Sequence, residues 1–414
     1  MNRLRTIILE NRAGQQRGIP SWCTAHPETL QSIFRSYAAS DETILIEATC
    51  NQVNQFGGYT GMNPAQFRAF VEKLAAGCGI DASRLILGGD HLGPNPWKSQ
   101  SAQVAMEHAR VMVAAFVEAG FSKLHLDCSM ACADDRSLSE AEMAQRAAQL
   151  CAVAEASGRP GLAYVIGTEV PVPGGETQTP GTLAVTRPQD MRATWELHKT
   201  AFGGLGLQAA EGRIIAMVVQ PGVDFGNARI HVFDRARAGA LGASIADIGG
   251  IAFEAHSTDF QPASALAGLV ATHCAILKVG PELTFAYRAA IFAMAAIEAW
   301  LEVDQRSDML RLLDQAMADN PGHWQAYVAP GKDRDTLRLF GLSDRVRYYW
   351  PVPAVQTAAE LLCANIDRCN VPPGLLWQYA GAVPEGNLPL STRIIDAKIQ
   401  AVIARYRVAC CGQA

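Results

Sequence analysis

Apolar residues gather in eight short runs over the first two thirds of the chain, and each run closes on polar or charged residues. The runs are Gly18–His26, Thr43–Thr49, Leu85–His91, Lys123–Ser129, Leu162–Glu169, Ile214–Gly222, Gly250–Ser257 and Cys274–Glu282. Segments this short and this apolar predict strands buried on both faces, the condition of a parallel sheet. Between them lie stretches such as NPAQFRAFVEKLAAGC and SAQVAMEHARVMVAAFVEAG, in which apolar residues recur at three-to-four spacing and predict helices. Eight alternations of buried strand and helix predict an α/β fold, a (β/α)8 TIM barrel with its working face at the carboxyl ends of the strands.

Beyond about residue 300 the strand pattern stops. LSDRVRYYWP, AAELLCANIDRC and TRIIDAKIQAVIARYRVAC read as helices and turns. The expected division is a barrel over residues 1–300 and a helical extension packed on it over 301–414. The loop after the fifth run, VPVPGGETQTPGT, is long and rich in Gly and Pro, which suits an active-site loop better than a linker.

Side chains alternate along a strand, so residues two apart point the same way. Glu47, Thr49 and Asn51 therefore share a face, as do His125, Asp127 and Ser129, and Glu254 and His256. Asp90 follows Gly88, Glu169 follows Gly167, Lys278 interrupts an apolar run and Gln220 ends the sixth strand. Five carboxylates with two or three imidazoles at one mouth would repel and desolvate one another unless a cation or shared protons relieved them. A divalent metal held by imidazole and carboxylate, zinc or manganese by donor type, is the simplest relief and would act as a Lewis acid on a carbonyl. Simpler readings stay open at single positions. His125 can be a satisfied core group, Glu47 can merely hold a lysine, and Lys278 is either a charged partner or a Schiff-base nucleophile. His26, His108, His198, His273 and His323 fall in helix or loop patterns and read as structural or solvated.

The bulk numbers fit this picture. Net charge is −5 with 49% hydrophobic residues, so neither nucleic acid nor an anionic membrane is expected as partner. MNRLRTIILENRAG has neither the apolar length nor the cleavage pattern of a signal peptide or membrane anchor, so a cytoplasmic location is expected. The cysteines number 11, with no CxxC pair, and several fall inside strand or helix patterns, which argues for buried thiols in a reducing compartment. Cys128 and Cys132 are too widely spaced for CxxC chemistry.

Long motifs carry a family resemblance: IEATCNQVNQFGGYTGM, GGDHLGPNPW, HLDCSMACADD, IGTEVPVPGGE, VVQPGVDFG, EAHSTDF, LKVGPELTFAYRAA and LSDRVRYYWP. From near its start to near its end the chain resembles the Z-type subunit of bacterial class II D-tagatose-1,6-bisphosphate aldolase, a family also labelled tagatose-6-phosphate kinase. The resemblance implies an accessory that supports the activity and stability of a separate catalytic aldolase subunit in galactitol or N-acetylgalactosamine breakdown. Asp90-His91 also resembles the Asp-His pair of class II aldolases, which implies Asp90 as acid/base and His91 as metal ligand. On that scheme His91, Glu169 and His256 hold the metal, with His231 in reserve, and Asp90, Glu254 and Asp127 handle protons. Asn51, Gln52, Ser129, Gln220, Ser257 and Lys278 grip a sugar or sugar phosphate. The alternative is a self-sufficient metal-dependent ketose (phosphate) aldolase or epimerase. Those aldolases carry a His-Gly-Gly-Ser strand end, whereas this chain reads His256, Ser257, Thr258, Asp259, without the glycines that let backbone amides approach a phosphate. No GxxxxGK[ST] loop is present, so a nucleotide-phosphate cradle is not expected. Homo-oligomerisation stays open.

Overall fold

A computed structural model describes residues 3–168, 183–328, 330–331 and 333–412. The eight runs form eight parallel strands: β1 (Ile19–Trp22), β2 (Ile44–Thr49), β3 (Leu85–Leu92), β4 (Lys123–Leu126), β5 (Ala163–Ile166), β6 (Ile214–Val219), β7 (Ala252–Ala255) and β8 (Cys274–Val279). Each pairs with its sequence neighbours and β8 closes on β1, as in the register Ser21 to Lys278 and Trp22 to Val279. The ladders are shorter than the apolar runs because the chain leaves the sheet at its polar end to build the mouth. A two-residue antiparallel ribbon, Asp224–Phe225 with Ile230–His231, lies between β6 and β7.

The barrel interior is layered. At the amino end Ile19, Leu45, Ala163, Val165, Ala216, Val218 and Ile276 form an apolar plug, sealed by Leu4, Ile7 and Ile8 of the helix Arg3–Arg12. Burying a side chain of this kind contributes roughly 1.5–3 kcal/mol. Above that layer the inward positions turn ionic with Glu47, Lys123, Glu254 and Lys278, all buried. Gly88 makes this possible. A Cβ there would lie 2.7 Å from Glu47 Cγ, so only glycine leaves the carboxylate its place.

The helices after the strands form the outer ring, with capping boxes at Asn63–Gln66 and Ser139–Glu142 starting two of them. Past residue 300 the chain is helical and packs on the barrel. Its last helix, Leu390–Cys411, lies against Pro27–Tyr37, Ala263–Ala271 and Pro281–Glu298. Tyr406 of that helix meets Trp22 of β1 edge-on at 5.7 Å, and its hydroxyl donates to Thr258 O at 2.7 Å. The amide of Gly18 donates to Cys410 O at 2.7 Å, so the two ends of the chain meet on the barrel wall. Among the described residues no helix is long and apolar enough to cross a membrane.

Candidate functional site

The mouth opens into a cavity of about 870 Å³, walled by strand ends on one side and the extension on the other. His91 and His256 line it, and buried His125 meets both behind the wall, with ring centroids 4.9 to 5.1 Å apart. With Asp90 they bring four donor atoms within 4.8 Å of one another. Strand geometry explains the meeting. At His91 the backbone enters the left-handed region (φ 50°), and the β3–β4 register slips between Gly89 and Leu92. Such a bulge re-aims one side chain, here into the mouth. The exit of β3 is equally tight, since a Cβ on Gly93 would lie 1.7 Å from Asp127 O.

Each imidazole is held by its own carboxylate. With the carboxylates ionised, His91 Nδ1 donates to Asp127 Oδ2 at 2.8 Å, His125 Nδ1 to Asp90 Oδ1 at 2.9 Å although the His91 amide nitrogen also lies 3.2 Å from that Nδ1, and His256 Nε2 to Glu254 Oε1 at 2.9 Å. These tautomers follow from the carboxylates being ionised. Burial pushes Asp90 up, yet His91, Lys278, His125 and His256 together hold it well below the usual carboxylate range. Asp127 and Glu254 are likewise pushed up by burial and pulled far lower, the first by His91 and the second by Lys123 and Lys278. One nitrogen of each ring is then left over. That of His125, Nε2, is buried with no hydrogen-bond partner among the described residues. A carboxylate behind an imidazole, with the second nitrogen unpartnered, is the arrangement that presents histidine to a metal.

Below the imidazoles two ammonium groups tie the carboxylates together. Lys123 Nζ lies 2.6 Å from Glu47 Oε1 and 2.7 Å from Glu254 Oε2. Lys278 contacts Glu47, lies 2.8 Å from Asp90 Oδ2 and approaches Glu254 at 3.9 Å. Burial alone would lower Lys278, but Asp90, Cys23, Glu47 and Glu254 raise it well above its ordinary value. It is therefore a fixed ammonium, and the neutral amine that a Schiff base requires is disfavoured. Four carboxylates against two lysines leave two negative charges uncompensated if the imidazoles are neutral. The excess pulls His91 above its ordinary value despite burial, while burial pushes His256 down to about 3. A divalent ion fits both the charge deficit and the donor set.

The structure sorts the residues expected from sequence. Asn51, Gln52, Asp90, His91, His256, Ser257 and Lys278 line the cavity. Asp127 and Glu254 lie behind the imidazoles, as orienting carboxylates. The Ser129 hydroxyl donates to Asp127 Oδ1 at 2.6 Å, and Gln220 Oε1 accepts the amides of Gly222 and Val223 at 2.8 and 2.9 Å; neither residue lines the cavity. Glu169 lies outside the described residues. His231 sits on the ribbon between β6 and β7 and is not among the four clustered donors. His26 and His323, read from sequence as structural or solvated, are on the cavity wall.

Lys123 and the place of His125 among the clustered donors escaped the sequence reading. The signal was present in KLHLDCS, where Lys123, His125 and Asp127 share one strand face. His125 alone was indistinguishable from a core histidine until its unpartnered nitrogen could be seen.

Comparison with known proteins bears on the same residues. The model of the D-tagatose-1,6-bisphosphate aldolase subunit GatZ/KbaZ-like family matches residues 4–411. The chain belongs to this family. Similar curated relatives include D-tagatose-1,6-bisphosphate aldolase subunit GatZ of Klebsiella pneumoniae, 47% identical over 99% of this chain and 100% of the relative. The GatZ subunit of Salmonella enteritidis is also 47% identical, over 98% of this chain and 99% of its own. A crystal structure described as a probable tagatose 6 phosphate kinase from Sinorhizobium meliloti superposes with a TM-score of 0.87. It is 41% identical and covers 95% of this chain and 100% of its own. Membership of the GatZ/KbaZ-like family thus extends over the barrel and the extension alike, so the cavity lies wholly within the matched region.

Proposed function

We propose that the chain is a subunit of a class II D-tagatose-1,6-bisphosphate aldolase, supporting the activity and stability of a separate catalytic subunit in carbohydrate catabolism. We further propose that its own mouth takes a ketose or ketose phosphate beside a divalent cation, zinc or manganese by donor type, held by His91, His125 and His256. The observation that carries the second part is the set of three carboxylate-held imidazoles, one with a buried and unpartnered nitrogen. Such an ion would supply Lewis-acid polarisation of the substrate carbonyl.

The remaining roles belong to side chains. Asp90 is ionised and on the cavity wall, where it can accept a proton from a hydroxyl or from a carbon beside a carbonyl. Lys278 fixes Asp90 through Oδ2 and is a positioning residue for it. Asn51, Gln52 and Ser257 face the substrate space and suit its hydroxyls. Asp127 and Glu254 hold imidazole tautomers and are positioning residues. A self-sufficient metal-dependent aldolase or epimerase is the second reading, favoured by the completeness of this donor set within one chain. Phosphoryl transfer from ATP is disfavoured by the absence of a GxxxxGK[ST] sequence.

Elemental analysis of protein isolated without chelator tests the reading. About one divalent ion per chain is expected, and His125→Ala should cut that content at least about tenfold, as ligand-shell changes do. Folded wild type that neither carries nor takes up a divalent ion would overturn the metal site.

A further inference from the structure

Two permanently cationic side chains reach the cavity wall among the described residues, Lys278 and Arg347. Lys278 is consumed by Glu47, Asp90 and Glu254. Arg347, from the extension, has no carboxylate within salt-bridge distance among the described residues. Its Nη1 donates to the backbone oxygens of Ser343 and Asp344, the latter at 3.0 Å, and its Nη2 to Tyr348 Oη at 3.1 Å. These hydrogen-bond partners are neutral, and the Asp344 carboxylate, which also favours the Arg347 charge, is itself paired with Arg288.

The surroundings hold that guanidinium still. The Asp344 backbone is left-handed (φ 44°), and its carboxylate pairs with buried Arg288 at 2.9 Å, which fastens the turn to the helix that follows β8. The Arg347 guanidinium lies 4.7 Å from the Tyr348 ring centre. Tyr348 in turn stacks on His323 at 4.8 Å and 9°, and meets Tyr59 edge-on at 4.8 Å. Burial pushes the Tyr348 hydroxyl up, but Arg347 and Arg345 pull it below its ordinary value, a sign of net positive potential here. Arginine presents a planar fork of donors that matches a phosphate; with Nη1 held by two backbone oxygens and Nη2 by Tyr348, Nε and the remaining Nη2 hydrogen are left for an anion.

We propose that Arg347, framed by Tyr348, Tyr59 and His323, is an anion subsite that binds the phosphate group of a phosphorylated sugar whose carbonyl lies at the imidazole cluster. This rests on the reading of the mouth as a ketose site and adds to it a reason for phosphate. It also gives the extension a direct part in the site.

Titration calorimetry on the metal-loaded full chain tests the subsite with three probes: D-tagatose 6-phosphate, D-tagatose and inorganic phosphate. Arg347→Gln should weaken the sugar phosphate and inorganic phosphate about 10- to 100-fold, the range for one hydrogen-bonded charge. Its affinity for D-tagatose should stay within about twofold. Arg347→Lys, which keeps the charge but not the fork, should fall between. Equal loss for all three probes, no loss for any, or a wild type that binds neither phosphate probe overturns the subsite. Metal content separates the two proposals. If the chain takes up no metal yet binds inorganic phosphate in an Arg347-dependent way, the metal reading falls and the anion subsite stands.

Discussion

Lys123 is completely buried between Glu47 and Glu254, so its ammonium is the counter-charge for two carboxylates that water cannot reach. Burial alone would strip its proton, but those neighbours raise it above its ordinary value. Removing one member of such a set leaves buried charge unpaired, which typically costs about 3–5 kcal/mol. Lys123→Met should therefore lose roughly that much by urea denaturation, and the double change with Glu254→Gln should recover part of it. A loss below about 1 kcal/mol would mean that the carboxylates find protons or water instead. His125 and Lys123 teach the same lesson about sequence. Parity placed His125 on the inward face while Lys123 went unread, and burial and partners decide what an inward histidine or lysine does.

At the level of elements the barrel was legible because buried parallel strands have to be short and apolar, and β2, β3, β6 and β8 begin within a residue of their apolar runs. The carboxyl ends were less so. His91 and Ser257 take positive φ (50° and 53°), a choice made by packing that no propensity announces. Helix Pro188–Gly204 hides a second such feature. His198 is buried there, Nδ1 donating to Thr194 O at 2.8 Å, and burial pushes it down to about 4. The folded chain keeps this imidazole neutral while the unfolded chain takes up a proton near the ordinary value of 6.5. Stability is thus present at neutral pH and is lost as pH falls from about 6.5 toward about 4. Between pH 7 and 5 the loss from this group is about 2 kcal/mol. His198→Leu should flatten the pH dependence of the unfolding free energy by that amount. An unchanged slope would place the titration elsewhere.

For the whole molecule, the boundary near residue 300 is proposed as a change of architecture, with the cavity drawing its wall from both sides of it. The part the extension plays at the site, through Arg347, was not readable from sequence, because LSDRVRYYWP gave no sign of which strand ends it would face. A subunit role has its own signature. Mixing this chain with a cognate catalytic class II aldolase subunit should raise that subunit's activity and its Tm, because a partner that binds only the folded state stabilises it by mass action. Asp90→Asn should assist as well as wild type if assistance depends on surface and not on the mouth. If neither protein assists, and wild type alone turns over a ketose that Asp90→Asn does not, the self-sufficient enzyme is the better description.

The meeting of the chain ends reaches beyond the finished fold. Asn11 Nδ2 donates to Val270 O at 2.9 Å and Gln16 Nε2 to Ala409 O at 2.9 Å, so residues ahead of β1 complete their contacts with residues 259 and 393 positions further along. During synthesis the helix that seals the barrel floor has nothing to seal, and β1 waits for β8 with its apolar face open to water. Closure is a late event of high contact order, slow by nature and exposed to aggregation while it is pending.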